Sequence, residues 1–157
     1  MSDALITGIY LQLLYAALLG LTIGFEREHY RKAAGMRTYA LVCFGSALFT
    51  IISVDGFSQL AGSGNIDPTR IASQIVTGIG FIGGGLIFFH GDKVQGLTTA
   101  AAIWVTAAIG VAVGIGMYEV AFFSAIVTLI LMWALRFLEE KIPRVELEPK
   151  TKSRKKQ

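Results

Sequence analysis

Charged side chains are absent from five long stretches of this chain: residues 4–25, 38–54, 71–89, 94–118 and 120–135. Their lengths are 22, 17, 19, 25 and 16 residues, together 99 of 157. A helix needs about 20 mainly apolar residues to cross the hydrocarbon core of a bilayer. The two short stretches lengthen at their ends, where Arg37 and Arg136 can snorkel to the interface. The pattern therefore predicts an all-α, polytopic membrane bundle with five spans, near 4–25, 37–54, 70–89, 97–117 and 119–138. Residues 1–138 would form the membrane domain and 139–157 a basic tail. A transmembrane barrel would need strands of about ten residues alternating apolar and polar. Strings such as AFFSAIVTLILMWAL, residues 121–135, do not alternate. The first span follows Met1-Ser2-Asp3, which holds no basic residue, and its apolar run is too long for a signal peptide. It is expected to be retained.

Composition sharpens this picture. Apolar residues make up 54% of the chain, charged residues 16%, and the mean hydropathy is +0.60. A soluble domain carries roughly 25% charge. The 18 glycines follow no Gly-X-Y period, which removes collagen. A single cysteine, Cys43, removes a disulfide framework and a Cys-rich metal site, and His29 and His90 are too few for a His-rich one. No metal ligand set and no cofactor are expected. Cys43 has no second Cys or nearby His in sequence and reads as an inert buried thiol.

Charge asymmetry sets the orientation. The loop after the first span holds Arg27, Arg31, Lys32 and Arg37, and the loop after the third holds Lys93. Eight more basic residues lie from Arg136 onward, so 13 of 14 fall on one side and Arg70 stands alone on the other. The N-terminus is expected outside and the C-terminus in the cytoplasm. The net charge of +3 reflects this asymmetry, with no motif for nucleic acid beside it. The tail ending PKTKSRKKQ reads either as a solvated, disordered segment or as one drawn to anionic lipid.

Glycine spacing suggests how the helices meet. Gly20 and Gly24, Gly80 and Gly84, and Gly110 and Gly114 are each four residues apart. Small residues at that spacing let helix backbones approach closely where lipid supplies no hydrophobic drive. The third and fourth spans are expected to touch through Gly80, Gly84, Gly110 and Gly114. The fourth, rich in small residues on several faces, is expected at the centre of the bundle. Gly78, Gly80 and Gly83 also match G-x-G-x-x-G, but inside an uncharged span that string lacks the strand and acidic partner of a dinucleotide site.

The candidate polar residues sit at the membrane boundaries. On the basic side they are Glu26, Arg27, Glu28, Arg37 and Thr38. Glu26 and Glu28 read either as interfacial anchors or as partners reaching Arg37 across the turn. On the other side they are Asp67, Arg70 and Gln74. Asp67 before Pro68 reads as an N-cap with Pro at the first helical position. Arg70 is unfavourable near a helix N-terminus and is expected to pair with Asp67 or Asp55; Gln74 lies one turn deeper on the same face. Thr98 or Thr99 reads as the cap of the fourth span, and Trp104 lies too deep for an interfacial anchor, so it is expected to pack inside the bundle. No Walker A, G-x-S-x-G, H-E-x-x-H or D-K-T-G string is present.

The strings LLGLTIGFERE, AAGMRTYALVCFGSALFTIIS, DPTRIASQIVTGIGFIGGG and GLTTAAAIWVTAAIGVAVGIGMY together resemble the MgtC/SapB family of bacterial inner-membrane proteins. The resemblance runs from about residue 14 to 138. It implies a small, multi-pass protein of the bacterial inner membrane, associated with growth at low Mg²⁺ and survival inside host cells. Family members resemble regulators, including of the F-type ATP synthase, more than Mg²⁺ transporters. Many carry a cytoplasmic ACT-like domain, whereas this sequence stops at the basic tail. Two functions compete. One is a non-enzymatic regulator embedded in the lipid bilayer that binds a membrane-protein partner or a second copy of itself. The other is a transporter or channel for a cation such as Mg²⁺ or another small solute. Mg²⁺ favours carboxylate and water oxygens. No uncharged span offers an acid, and midplane polar groups are limited to residues such as Ser46, Thr77 and Thr106. An enzymatic reading has no support in the sequence.

Overall fold

The computed structural model of the chain describes residues 3–56, 69–91 and 93–141. It is a helical bundle: α1 (Asp3–His29), α2 (Met36–Ile51) ending in a π-helical turn (Ile52–Gly56), α3 (Thr69–Gly85), strands β1 (Phe88–His90) and β2 (Lys93–Gln95), α4 (Leu97–Gly114) and α5 (Tyr118–Lys141). In hydrocarbon a chain must satisfy its own backbone polar groups, so long uncharged runs become helices. Four helical segments, Ile6–His29, Met36–Val54, Leu97–Gly114 and Tyr118–Phe137, are long and apolar enough to cross a membrane. Of the five expected spans, the third is represented by α3. Its 17 residues would rise about 26 Å, a little short of the roughly 30 Å hydrocarbon core. Asp67, the residues between Gly56 and Thr69, and the basic tail beyond Lys141 lie outside the described residues.

Helix ends depart from the charge boundaries for local reasons. The uncharged run to residue 89 is not helical throughout: α3 stops at Gly85, and Phe88–His90 pairs antiparallel with Lys93–Gln95, Phe89 opposite Val94. Gly96 (φ 90°) then starts α4 without a side-chain cap, which corrects the expectation for Thr98 or Thr99. Glycine is required there, because a Cβ would collide with the Leu86 carbonyl oxygen. α1 ends with Lys32 N–H donating to Arg27 C=O at 3.0 Å and Arg31 N–H to Glu28 C=O at 2.9 Å. That pair of bonds is a Schellman motif, whose left-handed position Arg31 occupies at φ 50° in place of the usual glycine. α4 ends in the same motif, this time with Gly116 (φ 81°).

Within the described residues, α4 packs against each of the other four helices, as expected of the central span. The glycine pairs explain how, and they correct one pairing. A Cβ at Gly110 would meet the Cys43 carbonyl oxygen and, at 2.8 Å, Ser46 Cβ; one at Gly114 would lie 2.6 Å from Thr50 Cβ. The glycines of α4 therefore seat α2, not α3. On the other side of α2, a Cβ at Gly20 would meet the Tyr39 carbonyl oxygen and Cys43 Cβ, and one at Gly24 would lie 2.6 Å from Met36 Cα. A Cβ at Gly80 or Gly84, expected to form the α3–α4 contact, would meet nothing within 4 Å among the described residues; the glycine of α3 that faces α4 is Gly83, where a Cβ would lie 3.5 Å from Ala100 Cβ. Four residues per contact row is a necessary spacing for close approach, but it does not say which face meets a partner.

The interior consists of Ile23, Tyr39, Cys43, Ile103, Ile109 and Val113, each almost fully buried. Cys43 is where both glycine seams meet α2. Trp104 is half exposed at 51% and faces away from the interior, against the sequence expectation. Phe81, Phe123, Trp133 and Leu41 are likewise exposed, which suits side chains bathed in lipid.

Candidate functional site

The antiparallel run of helices gathers the ends of α1, α2, α4 and α5 and the β-hairpin at one end of the bundle, the basic end. Arg27, on the last turn of α1, is only 3% exposed and donates two hydrogen bonds to Glu26, from Nε to Oε2 and from Nη2 to Oε1 at 2.7 Å. Burial of a guanidinium is tolerable when a carboxylate answers it at close range. The sequence left Glu26 and Glu28 as candidates for Arg37. The structure gives Glu26 to Arg27, and Glu28 crosses the turn to a different partner: its Oε2 accepts the Met36 N–H at 2.9 Å. It thus caps α2 at its N-terminus, where the helix dipole favours an anion. Arg37 and Thr38 project instead toward the cleft between α2 and α3.

Three contacts that the sequence did not announce tie this end together. The Arg136 guanidinium, near the end of α5, stacks 3.6 Å above the Tyr30 ring, binding the last helix to the first loop. His29 sits edge-on to the same ring. The Tyr39 hydroxyl donates to the Thr99 carbonyl at 3.3 Å, joining α2 to the start of α4. Arg136 carried a detectable signal as the single charge terminating a long uncharged run. Tyr30 and Tyr39 carried none.

Two concavities result. One, about 820 Å³, opens at the basic end beneath the first loop and the hairpin and descends between α4 and α5. Arg27, Arg31, Lys32 and Arg136 line it above, and Val105, Leu131 and Leu135 below. The other, about 620 Å³, is an apolar cleft between α2 and α3, running from Arg37 and Thr38 past Gly45 and Gly78 to Gln74. Gln74 and Arg70 are both exposed. The expected partner of Arg70, Asp67, lies outside the described residues, as does the Asp55 side chain.

Within the helices the polar groups are largely occupied. Thr22, Thr50, Thr106 and Thr128 donate their hydroxyls to the carbonyl four residues back, at 2.7–2.8 Å. Ser46, Thr50 and Thr106 are buried between helices. Gln12 is a polar residue of α1 that sequence reading passed over. Its Nε2 donates to the carbonyls of Val113, at 2.5 Å, and Gly114, at 3.1 Å, at the end of α4. It thereby reaches the Gly114 carbonyl at the helix end and shares the Val113 carbonyl with the Gly116 N–H. Among the described residues no three His, Cys, Asp or Glu side chains converge on a common point.

Comparison with known proteins adds identity to this geometry. The model of the MgtC family matches residues 13–141. The chain is 47% identical over 124 residues to "Putative magnesium transporter YhiD" of Escherichia coli K12, covering 78% of this chain and 58% of that protein. It is 51% identical over 102 residues to "Protein MgtC" of Brucella abortus (strain 2308), covering 65% and 40%. Against "Protein MgtC" of Salmonella paratyphi A it is 40% identical over 144 residues, covering 92% and 59%. The chain spans about half the length of these curated relatives. No solved structure matches.

Proposed function

This chain belongs to the MgtC family, and from that premise we propose that it is a non-enzymatic regulator of another membrane protein. Its setting is the bacterial inner membrane, N-terminus outside, during adaptation to low magnesium or to host or acid stress. The observation that carries the reading is the cleft between α2 and α3, about 620 Å³ in volume, bordered by Gly45 and Gly78 and open along the lipid-facing side of the bundle. Gly80 and Gly84 of α3 add a face where a Cβ would meet nothing within 4 Å among the described residues. The occupant is a transmembrane helix of the partner: in lipid, close backbone approach and dispersion, not apolar burial, hold helices together. A cleft lined by glycine accommodates such a helix better than it would an ion. The family resemblance makes the F-type ATP synthase the first partner to test, with a second copy of this chain the next.

The competing reading is a cation transporter. It is favoured by the printed name of the Escherichia coli relative. Against it, the described membrane helices place no carboxylate in their middle turns, and the buried threonine hydroxyls are bonded within their own helices. Mg²⁺ gives up its water reluctantly and asks for hard oxygen ligands. A photocrosslinker at Gly78 or Gly45 should capture a membrane protein in cells, and purified protein in liposomes should not move Mg²⁺. Saturable Mg²⁺ uptake that is lost with Glu26→Ala or Asp67→Ala, together with no crosslinked partner, would reverse the ranking.

A further inference from the structure

We propose that the helix seated in the cleft between α2 and α3 belongs to another protein and carries a carboxylate at the basic end, paired with Arg37, two helical turns from a small residue that faces Gly45. The inference rests on the reading of this cleft as a helix-docking site and adds the chemistry of the occupant. Arg37 is exposed, is the second residue of α2 and lines one mouth of the cleft. A cation so close to a helix N-terminus is unfavourable. The two carboxylates at hand are committed elsewhere, Glu26 to Arg27 and Glu28 to the Met36 N–H. Among the described residues no ion pair answers Arg37. A carboxylate delivered by a docked helix would answer both the guanidinium and the positive end of α2.

The far end of the cleft selects a helix over a lipid. On α3, Ser73 and Thr77 donate to carbonyls of their own helix. Gln74 lines the cleft, and its carboxamide has no partner among the described residues. An acyl chain laid there would leave that amide bare in hydrocarbon, where a polar group without a partner is costly. A helix brings hydroxyls, amides or carbonyls to the same depth. Between the two ends the walls are largely apolar, and a Cβ at Gly45 or Gly78 would meet nothing within 4 Å among the described residues. That open space lets the backbone of a second helix come close.

Spacing then separates another protein from a second copy of this chain. Gly45 lies eight residues beyond Arg37, about 12 Å along α2. The docked helix therefore needs its acid two turns, about seven or eight residues, from its small residue. α5 carries Glu139 and Glu140 at the basic end, but the residues seven and eight before them are Leu131, Met132 and Trp133, all large. α1 has the spacing in Glu28 and Gly20, yet Gly20 is closed by Tyr39 and Cys43 of its own α2, and Glu28 caps that helix. No other described membrane helix carries an acid at that end.

The test titrates the full chain, in mixed micelles at neutral pH, into a dye-labelled synthetic leucine-alanine helix and follows fluorescence anisotropy. The probe has one central glycine and a glutamate seven residues from it; a second probe has glutamine in place of the glutamate, and a third has the glutamate nine residues away, on the opposite face. The wild type should bind the first about fivefold tighter than the second, and the third no better than the second. Arg37→Gln should bind the glutamate and glutamine probes alike, and Arg37→Glu should prefer a lysine probe. Arg70→Gln, at the other end of the bundle, should keep the fivefold preference. Equal binding of the glutamate and glutamine probes by the wild type, or a preference that survives Arg37→Gln, would overturn the acid-bearing partner while leaving the cleft as a helix seat. Failure of all the probes to bind would overturn that seat and this inference together. Displacement of the glutamate probe by phosphatidylglycerol and not by phosphatidylcholine would overturn it in favour of a lipid headgroup at Arg37, and self-association of the chain abolished by Arg37→Gln would overturn it in favour of a second copy.

Discussion

Gly110→Ala and Gly84→Ala are the same substitution at the same kind of position, a glycine four residues from another in a membrane helix, yet they should behave oppositely. At Gly110 the new methyl would meet the Cys43 carbonyl oxygen, with Ser46 Cβ at 2.8 Å and Cys43 carbonyl carbon at 3.0 Å. Carbon atoms rest at about 3.5–4.0 Å, so α2 and α4 must part by the better part of an ångström. The atoms in the way are backbone and Cβ, which cannot swing aside as a long side chain would. Overpacking of this kind costs roughly 1–3 kcal/mol, or about 5- to 150-fold in the folding equilibrium. At Gly84 nothing lies within 4 Å of the added methyl. The change there is neutral, or slightly favourable through helix propensity. Reversible unfolding of both variants in mixed micelles, followed by tryptophan fluorescence, measures the difference. Equal stability of Gly110→Ala and wild type, or equal losses in the two variants, would refute the assignment of the tight seam to α2 and α4.

Other positions give sharper local tests. Gln12→Leu abolishes the bonds to the Val113 and Gly114 carbonyls and should cost about 0.6–1.7 kcal/mol, read by the same unfolding assay; Gln12→Glu should be worse, since a carboxylate cannot donate to those carbonyls. Glu28→Ala removes the cap on Met36 N–H and should destabilise α2 by about 0.5–2 kcal/mol, with faster amide exchange over residues 36–38, whereas Glu28→Gln keeps an acceptor and should retain most of the stability. Single cysteines placed near residues 55–65 should react with an impermeant reagent added outside intact cells, and one at position 150 should not; the reverse pattern would invert the orientation.

The helices were legible because the physics that makes them is local. Hydrocarbon demands that each run satisfy its own backbone, and a stretch without charge shows this directly. Where the charge pattern overran, as from Leu86 to Phe89, the structure turned on a contact invisible in sequence: the close approach of Gly96 to the Leu86 carbonyl. Gly83 stands out in the sequence only within G-x-G-x-x-G, while the flanking Gly80 and Gly84 carry the four-residue spacing. Rotational position about the helix axis, which decides contact, is set by three-dimensional packing. The polar site was only half readable for a related reason. Glu26, Arg27, Glu28 and Arg37 stood out as charges at a boundary, yet Glu28 answers a backbone N–H and not the neighbouring arginine, a choice fixed by the loop between α1 and α2. Gln12, in a span marked by its lack of charge, gives no signal in that pattern because it is polar but uncharged.

The two glycine seams have a mechanical consequence. α2 is held on one side by Gly20 and Gly24 and on the other by Gly110 and Gly114, both seams crossing near Cys43. A slide of α2 along its axis by even one residue, about 1.5 Å, would drive side chains into both backbones at once. The α1–α2–α4 slab therefore behaves as a rigid plate, unsuited to piston-like signalling. α3 is seated more loosely on that plate: a Cβ at Gly83 would find only ordinary contact with Ala100, and one at Gly80 or Gly84 would meet nothing within 4 Å among the described residues. A tilt of α3 against this plate therefore disturbs fewer tight contacts than a slide of α2 within it.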